Sequence, residues 1–495
     1  MRSGASATVD DRNWKSSFAT VVNHRAAPFT WIHVVAYAST IAGAVALFLV
    51  IRSYGSTLTA PPPSIAVAAR GGDGGAAANP LLTLLVTLTA VVVVGRLLGW
   101  GLRALGQPPV IGEILAGISL GPSLLGRVAP DIADFLMPAS GAPLLGVVAQ
   151  LGVILFMFRV GLELNADVVR DRVQATIATS HTSILVPFVL GSALALVLYP
   201  RFSTSDVSFT SFSLFMGVAM SVTAFPVLAR ILTDRGLIRT ELGSVALTCA
   251  AVDDATAWCL LALIVGVTRS QVHDAIGVLA SAVVFLAIAL VFVRRVLRWV
   301  LRRFKHEPPG DGALAFVLAG VLLFALTTEA IGLHAIFGAF LFGAIIRHDS
   351  ALARSLSQNL DAVVTILLLP AYFAFTGMRT QVGLVSGLDA WLMCGLITMT
   401  ATIGKVGGAL VAARVTGMAW RPALSLGVLM NTRGLMELIV LNIGLDLGVL
   451  SPQLFTMMVL MAIATTMATT PVLHLLGLES FGPVANGRFA NATSR

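Results

Sequence analysis

Two adjacent aspartates, Asp253 and Asp254, stand inside the apolar run Val245-Ala246-Leu247-Thr248-Cys249-Ala250-Ala251-Val252-Asp253-Asp254-Ala255-Thr256-Ala257-Trp258. A bare carboxylate at the centre of a membrane helix is expensive, about 2.5 to 3.5 kcal/mol on the low scale. Successive helix positions point about 100° apart, so one carboxylate can face a cation while its neighbour faces a counter-charge. Crowded carboxylates in a medium of low dielectric take up a proton or a cation, and the two compete for the same oxygens. Simple structural pairing with basic residues is the alternative account. Lys405, in Ile403-Gly404-Lys405-Val406-Gly407-Gly408, lies mid-span and is the basic partner within reach of such a pair. A buried lysine needs a counter-charge or loses its proton. Snorkelling to the interface is the competing reading, opposed by the several turns that separate Lys405 from Arg414. A site of two carboxylates and one ammonium that exchanges two protons for one cation moves net charge, so this trio predicts voltage-sensitive exchange.

Two spans read as interrupted, at Ser221-Val222-Thr223-Ala224-Phe225-Pro226 and at Asn431-Thr432-Arg433-Gly434-Leu435-Met436-Glu437. Pro226 removes a backbone donor and Gly434 lowers the cost of unwinding. The freed carbonyls and half-helix ends of such breaks ligate or orient ions near the bilayer midplane. Thr223 thus joins Asp253 and Asp254 as a cation- and proton-binding candidate; Pro226, Asn431, Arg433, Gly434 and Glu437 are candidates for the breaks and for gating. Arg433 and Glu437 are four apart, so an internal ion pair and a gating role both fit. Glu113, two residues into its run after Ile111, suits either ion entry at a cytoplasmic mouth or plain interfacial exposure. His181 and His334 are isolated and read as hydrogen-bonded helix residues. Gly117-Ile118-Ser119-Leu120-Gly121 spells the hydrolase G-x-S-x-G, but that motif needs a strand, turn and helix; here the glycines serve close helix packing.

The elements that position these residues are membrane helices. The chain is 57% hydrophobic and 11% charged, with a mean hydropathy of +0.90, and it delivers apolar runs of about 20 residues one after another from Ala27 to Leu478. Hydropathy with Gly, Pro and charge as punctuation predicts fourteen spans: 27–51, 80–102, 108–126, 143–162, 174–199, 209–233, 243–267, 272–300, 312–330, 333–346, 360–378, 387–413, 420–445 and 452–477. The net charge of +8 resides in short loops, which argues against nucleic acid as a partner. Cys249, Cys259 and Cys394 fall inside apolar runs, so neither disulfides nor a thiolate metal site is expected. With the N-terminus inside, 21 of the 32 Lys and Arg lie on the inner side, six outside and five within spans. Both termini are therefore expected in the cytoplasm of a cell (inner) membrane protein, anchored most strongly by Arg294, Arg295, Arg298, Arg302, Arg303 and Lys305.

Residues 1–79 read as a tail, an extra helix and a flexible Pro/Gly/Ala linker, 80–478 as the transmembrane domain, and 479–495 as a short cytoplasmic tail without room for a regulatory domain. Gly112-Glu113-Ile114-Leu115-Ala116-Gly117 and Gly338-Ala339-Phe340-Leu341-Phe342-Gly343 share G-x-x-L-x-G at the starts of two five-span segments, 108–267 and 333–477. Seven spans separate the starts, an odd number, so the copies would insert with opposite topology.

Taken with Gln107-Pro108-Pro109-Val110-Ile111-Gly112-Glu113, Leu120-Gly121-Pro122, Thr223-Ala224-Phe225-Pro226-Val227-Leu228-Ala229-Arg230, Leu369-Pro370, Gly377 with Arg379, Lys405 with Gly404 and Gly408, and Asn431 to Ile439, the Asp253-Asp254 pair gives a chain that resembles the monovalent cation:proton antiporter family 2 over roughly Leu81 to Leu476. The resemblance implies an all-α fold with inverted repeats and two crossed discontinuous helices, a thirteen-helix core to which this chain adds one N-terminal helix, and a homodimer. It implies that Asp254 carries the cation and the proton, that Asp253 pairs with Lys405, and that a core moves past a dimerisation domain. Plant-type members usually carry Asn, and glutathione-gated efflux members Gln, where this chain has Asp253. The expected partners are Na⁺ or K⁺, protons and the bilayer; no cofactor and no resident metal are expected. A potassium efflux pathway or channel without proton coupling is the alternative within transport, although no repeated filter segment is present. A membrane enzyme is disfavoured because its metal-ligand spacings are absent and the ionisable residues sit mid-span.

Overall fold

The computed structural model describes residues 31–62, 79–136, 142–163, 173–237, 240–269, 272–297, 311–346 and 351–477. The N-terminal tail, most of the Pro/Gly linker, the basic loop beyond Leu297 and the C-terminal tail lie outside these residues. The elements are α1 (Trp31–Gly55), α2 (Pro80–Ala104), α3 (Pro109–Leu120), α4 (Ala142–Glu163), α5 (Val173–Phe202), α6 (Phe209–Ser221), α7 (Phe225–Asp234), α8 (Glu241–Arg269) and α9 (Val272–Ile288). They continue with α10 (Asp311–Ile331), α11 (Ala335–Ile345), α12 (Ala351–Val363), α13 (Leu369–Arg379), α14 (Gly387–Val415), α15 (Trp420–Met430), α16 (Leu435–Asp446) and α17 (Pro452–Leu475).

Each expected span has a helical counterpart among the described residues. Among the described residues twelve helices are long and apolar enough to cross a membrane, thirteen with the bent pair α15–α16. The remaining one, α11, has 11 residues, about 16 Å of helix against a core of about 30 Å. It is as apolar as any span, which is why hydropathy alone admits it. The expected span 360–378 instead begins at Ala351, because its first stretch, Ala351–Val363, is too polar for a hydropathy window. A π-helical turn, Val364–Leu368, joins α12 to α13 just before Pro370, whose ring nitrogen has no hydrogen to donate back into the preceding turn.

The helices form two bundles. One contains α2, α3, α4 and α10 to α13; the other contains α1, α5 to α8 and α14 to α17, with α9 leading from the second to the first. Backbones come close inside the first bundle, and glycines permit it. A methyl on Gly117 would strike the Ala374 carbonyl of α13, and one on Gly343 would strike the Phe158 carbonyl of α4. The partner helices reciprocate, since Gly377 abuts the Ile114 carbonyl and Gly161 the Phe340 carbonyl. The first glycine of each hexapeptide also plays a matching part: Gly112 rests on Gly99 of α2, and Gly338 on Phe324 of α10. The shared letters G-x-x-L-x-G therefore correspond to one packing arrangement made twice. In the second bundle, α14 lies along α5, with Gly404 against Pro187 and Gly408 against Val186.

Candidate ion-binding site

The two breaks lie within the second bundle, in the fourth helix of each five-span segment. Helix α6 stops at Ser221 and the chain runs extended through Val222 and Ala224 before α7 begins at Phe225. Helix α15 stops at Met430, and α16 begins at Leu435 with a bend of 42° between the two. The breaks are tied where they cross: the Ala224 N–H donates to the Thr432 carbonyl at 2.9 Å, and Thr223 Oγ1 to the Met430 carbonyl at 3.1 Å. Pro226 sits in the first turn of α7, where its missing donor leaves no helical bond unmade. It starts the second half-helix instead of kinking a continuous one. Gly434 has an extended backbone that any residue can adopt, with φ at 171°. Glycine is needed there for space, since a β-carbon would come within 2.6 Å of Val227 Cγ2 from the other break.

Asp253 is fully buried and fully partnered. Its Oδ2 accepts from Lys405 Nζ at 2.8 Å, Thr223 Oγ1 at 2.9 Å and Ser183 Oγ at 3.1 Å, and its Oδ1 accepts from Ser180 Oγ at 2.5 Å. Lys405 spends its other protons on the carbonyls of Ser221 (2.6 Å) and Ser183 (3.2 Å). The ammonium thus neutralises Asp253 and also meets the negative C-terminal end of α6, two favourable placements for one charge. Asp254, on the next position of α8, is different. It is 6% exposed, its Oδ1 has no hydrogen-bond partner, and it faces the backbone N–H of Phe225 at the N-terminus of α7. One carboxylate is held by the protein, and its neighbour is left to meet something else.

Arg433 and Glu437 form a buried pair at 3.0 Å. The guanidinium also donates to the carbonyls of Ala219 (3.0 Å) and Met220 (2.9 Å), the last turn of α6 in the opposite break. The backbone of Arg433 is held by Thr466, which receives its N–H and donates to its carbonyl. Arg433 therefore caps one broken helix from the other, which neither the ion-pair nor the gating account had foreseen. Removing one member of a buried pair leaves an unpaired charge, at about 3 to 5 kcal/mol. Arg433→Ala is expected to lower the melting temperature of detergent-solubilised protein sharply, and Arg433→Met with Glu437→Leu to recover most of it. Equal melting of the single and double variants would contradict a buried charge pair at this position.

Asn431 adjoins the break with Oδ1 unpartnered. Glu113 packs against Gly95 on α2, within electrostatic reach of Arg96, and so belongs to the first bundle rather than to this cluster. The structure therefore assembles Asp253, Asp254, Thr223, Lys405 and the two breaks in one place and leaves Glu113 elsewhere. It also brings in Ser180 and Ser183, which the sequence reading did not single out, and the Ser221 carbonyl at the first break. The one available signal was the polar tetrad Ser180-His181-Thr182-Ser183 at the head of an otherwise apolar run.

The model of the family described as sodium/hydrogen exchanger, transmembrane, matches residues 93–476. A Na(+)/H(+) antiporter, NhaS4, of Synechocystis is 44% identical over 395 residues, covering 79% of this chain and 96% of that protein. Cation/H(+) antiporter 18 of Arabidopsis thaliana is 40% identical, covering 78% of this chain but 48% of its own length. K(+)/H(+) antiporter 1 of Saccharomyces cerevisiae is 33% identical over 76% of this chain and 44% of its own. The chain thus spans about half the length of the plant and yeast relatives. Among solved structures, the sodium proton antiporter MjNhaP1 of Methanocaldococcus jannaschii shares the fold, with a TM-score of 0.58 at 14% identity over 82% of this chain and all of that one. With the family model covering more than three quarters of the sequence, the chain belongs to the sodium/hydrogen exchanger family of membrane transporters.

Proposed function

We propose that the chain is a secondary transporter that exchanges a monovalent cation, Na⁺ or K⁺, for protons by alternating access, with Asp254 as the carboxylate that carries either. The observation that carries this reading is the asymmetry of the aspartate pair: Asp253 has its charge matched by Lys405 and three hydroxyls, while Asp254 Oδ1 is buried and unpartnered beside a half-helix N-terminus. A group in that state can take one proton or one desolvated cation and not both, which is the requirement for exchange. The names of the relatives, on both the sodium and the potassium side, support the same class. Proteoliposomes with an imposed pH gradient, titrated with Na⁺, K⁺ and Li⁺ while lumenal pH is followed, test it. Cation-independent proton flux, or cation flux that does not alter lumenal pH, would overturn it.

The duplicated glycine packing of α3 on α13 and of α11 on α4 supports two copies of one helical unit, inserted with opposite topology. From the family resemblance we propose in addition a homodimer in the cell membrane, and from the distribution of Lys and Arg among the loops that both termini are cytoplasmic. A reporter fused after Leu478, or placed within 301–311, is expected on the cytoplasmic side, and one at Gly72 outside; an external C-terminus would mean a miscounted span.

A further inference from the structure

The boundary between the two bundles is apolar through its middle, where the rings of Trp258 and Phe337 meet edge to face at 5.3 Å. Its polar links gather at one end. Arg379, the last residue of α13, donates to Asn442 Oδ1 at 3.0 Å and pairs with Asp446 Oδ1 at 2.5 Å, both on α16. The Asn442 amide donates in return to the Tyr372 hydroxyl (3.1 Å) and to Thr376 Oγ1 (2.8 Å) on α13. Alongside, the Gln381 N–H donates to Thr456 Oγ1 at 3.1 Å, and Gln453 Nε2 to the Leu384 carbonyl at 3.0 Å. The Phe375 ring lies 5.3 Å from the guanidinium carbon and steadies it from within its own bundle. At the opposite end the described residues supply the bond from Gln107 Nε2 to the Met467 carbonyl, at 3.2 Å.

We propose that Arg379, Asn442 and Asp446 form a latch that holds the two bundles together at the end assigned to the outside by the loop charges, and that it must release each time the site turns outward. The latch rests on the alternating-access reading above. Arg379 touches no transported ion and is a positioning residue. Its construction suits release. The side chains of Arg379 and Asp446 are 25% and 46% exposed, so water replaces their bond at little cost. The Arg433–Glu437 pair, fully buried within one bundle, cannot be exchanged in that way and stays made. Every latch bond joins α13 or the segment after it to α16 or α17, so separating the bundles there breaks all of them together, as a two-state element requires.

The test uses full-length protein carrying Thr456→Cys, a fully buried position on the boundary whose thiol remains a weak acceptor for the Gln381 N–H, in right-side-out vesicles, and every variant is compared within this background. The readout is labelling by a membrane-impermeant thiol reagent, counted above that of the protein without this substitution. Arg379→Ala is expected to raise the labelling rate about tenfold and to lower the external cation concentration for half-maximal exchange, because the outward-open state becomes more populated. Arg379→Lys, which keeps the charge and loses the planar fork, should fall between. A merely structural role would lower the melting temperature and leave both readouts unmoved. Should Arg379→Ala fail to fold, Asp446→Asn, which weakens the ion pair alone, must raise the labelling rate in the same sense. Unchanged labelling in the folded variant overturns the latch. Since labelling needs no transport, labelling that rises in Arg379→Ala while the parent protein exchanges no ions would uphold the latch and instead refute the antiport reading.

Discussion

Asp254→Asn should abolish cation-driven proton flux, with exchange falling at least a thousandfold to the level of empty liposomes, while the protein remains folded and membrane-inserted. The amide has nearly the volume of the carboxyl, so the packing of α8 is kept. What it loses is the ability to alternate between a protonated and a cation-paired form. The fold does not depend on that ability, because Asp254 Oδ1 makes no hydrogen bond and the ties between the breaks run through Thr223, Ala224, Met430 and Thr432. Asp253→Asn is different in kind. It strips the counter-charge from Lys405 in a fully buried setting, for about 3 to 5 kcal/mol, and should reduce the amount of folded protein. Thermal melting together with proteoliposome flux separates the two. Wild-type turnover in Asp254→Asn would remove Asp254 from its proposed role.

Lys405→Gln should leave slow exchange that no longer responds to membrane voltage. The ammonium bonds Asp253 and two carbonyls. If it gives up its proton when a cation arrives and recovers it when the cation leaves, two protons return for each cation and one net charge crosses the membrane per cycle. One charge across 100 mV is about 2.3 kcal/mol, near fifty-fold in the attainable cation gradient. Gln cannot release a proton, so one-for-one exchange at Asp254 remains. Asp253 is then buried without its counter-charge, at about 3 to 5 kcal/mol, so less folded protein is expected, offset in part by Ser180, Ser183 and Thr223, which still donate to Asp253. Liposomes with a set potential, generated by a route independent of the transported ion, measure this directly. Voltage-insensitive exchange in the wild type would exclude the two-proton mechanism in favour of electroneutral exchange at Asp254.

Glycine accounts for much of the difference between motif and meaning. G-x-x-L-x-G occurs readily by chance in apolar helices, and only the packed structure shows Gly112 and Gly338, and then Gly117 and Gly343, in matching surroundings. Gly112 and Gly338 rest on α2 and α10, which lie outside the two five-span segments.

The sequence by itself determined that the chain lives in a bilayer, that its helices follow one another where the apolar runs stand, that two of them break at Val222–Ala224 and Asn431–Gly434, and that Asp253, Asp254 and Lys405 are its costly charges. These are local properties: the length of an apolar run, the chemistry of Pro and Gly, and the price of a charge in lipid can be read within a few residues. The residues alone left open which aspartate is neutralised, and the family resemblance pointed to Asp253; tertiary structure decided that Ser180 and Ser183 hold Asp253, that Arg433 caps α6 across the crossing, and that α11 has only 11 residues. Asp253 and Lys405 are 152 positions apart, and Ser180 and Asp253 are 73 apart. No helical period spans such separations, and a serine in an apolar helix ordinarily turns its hydroxyl to its own backbone. Only the approach of α5, α8 and α14 around the crossed breaks turns those residues toward one carboxylate.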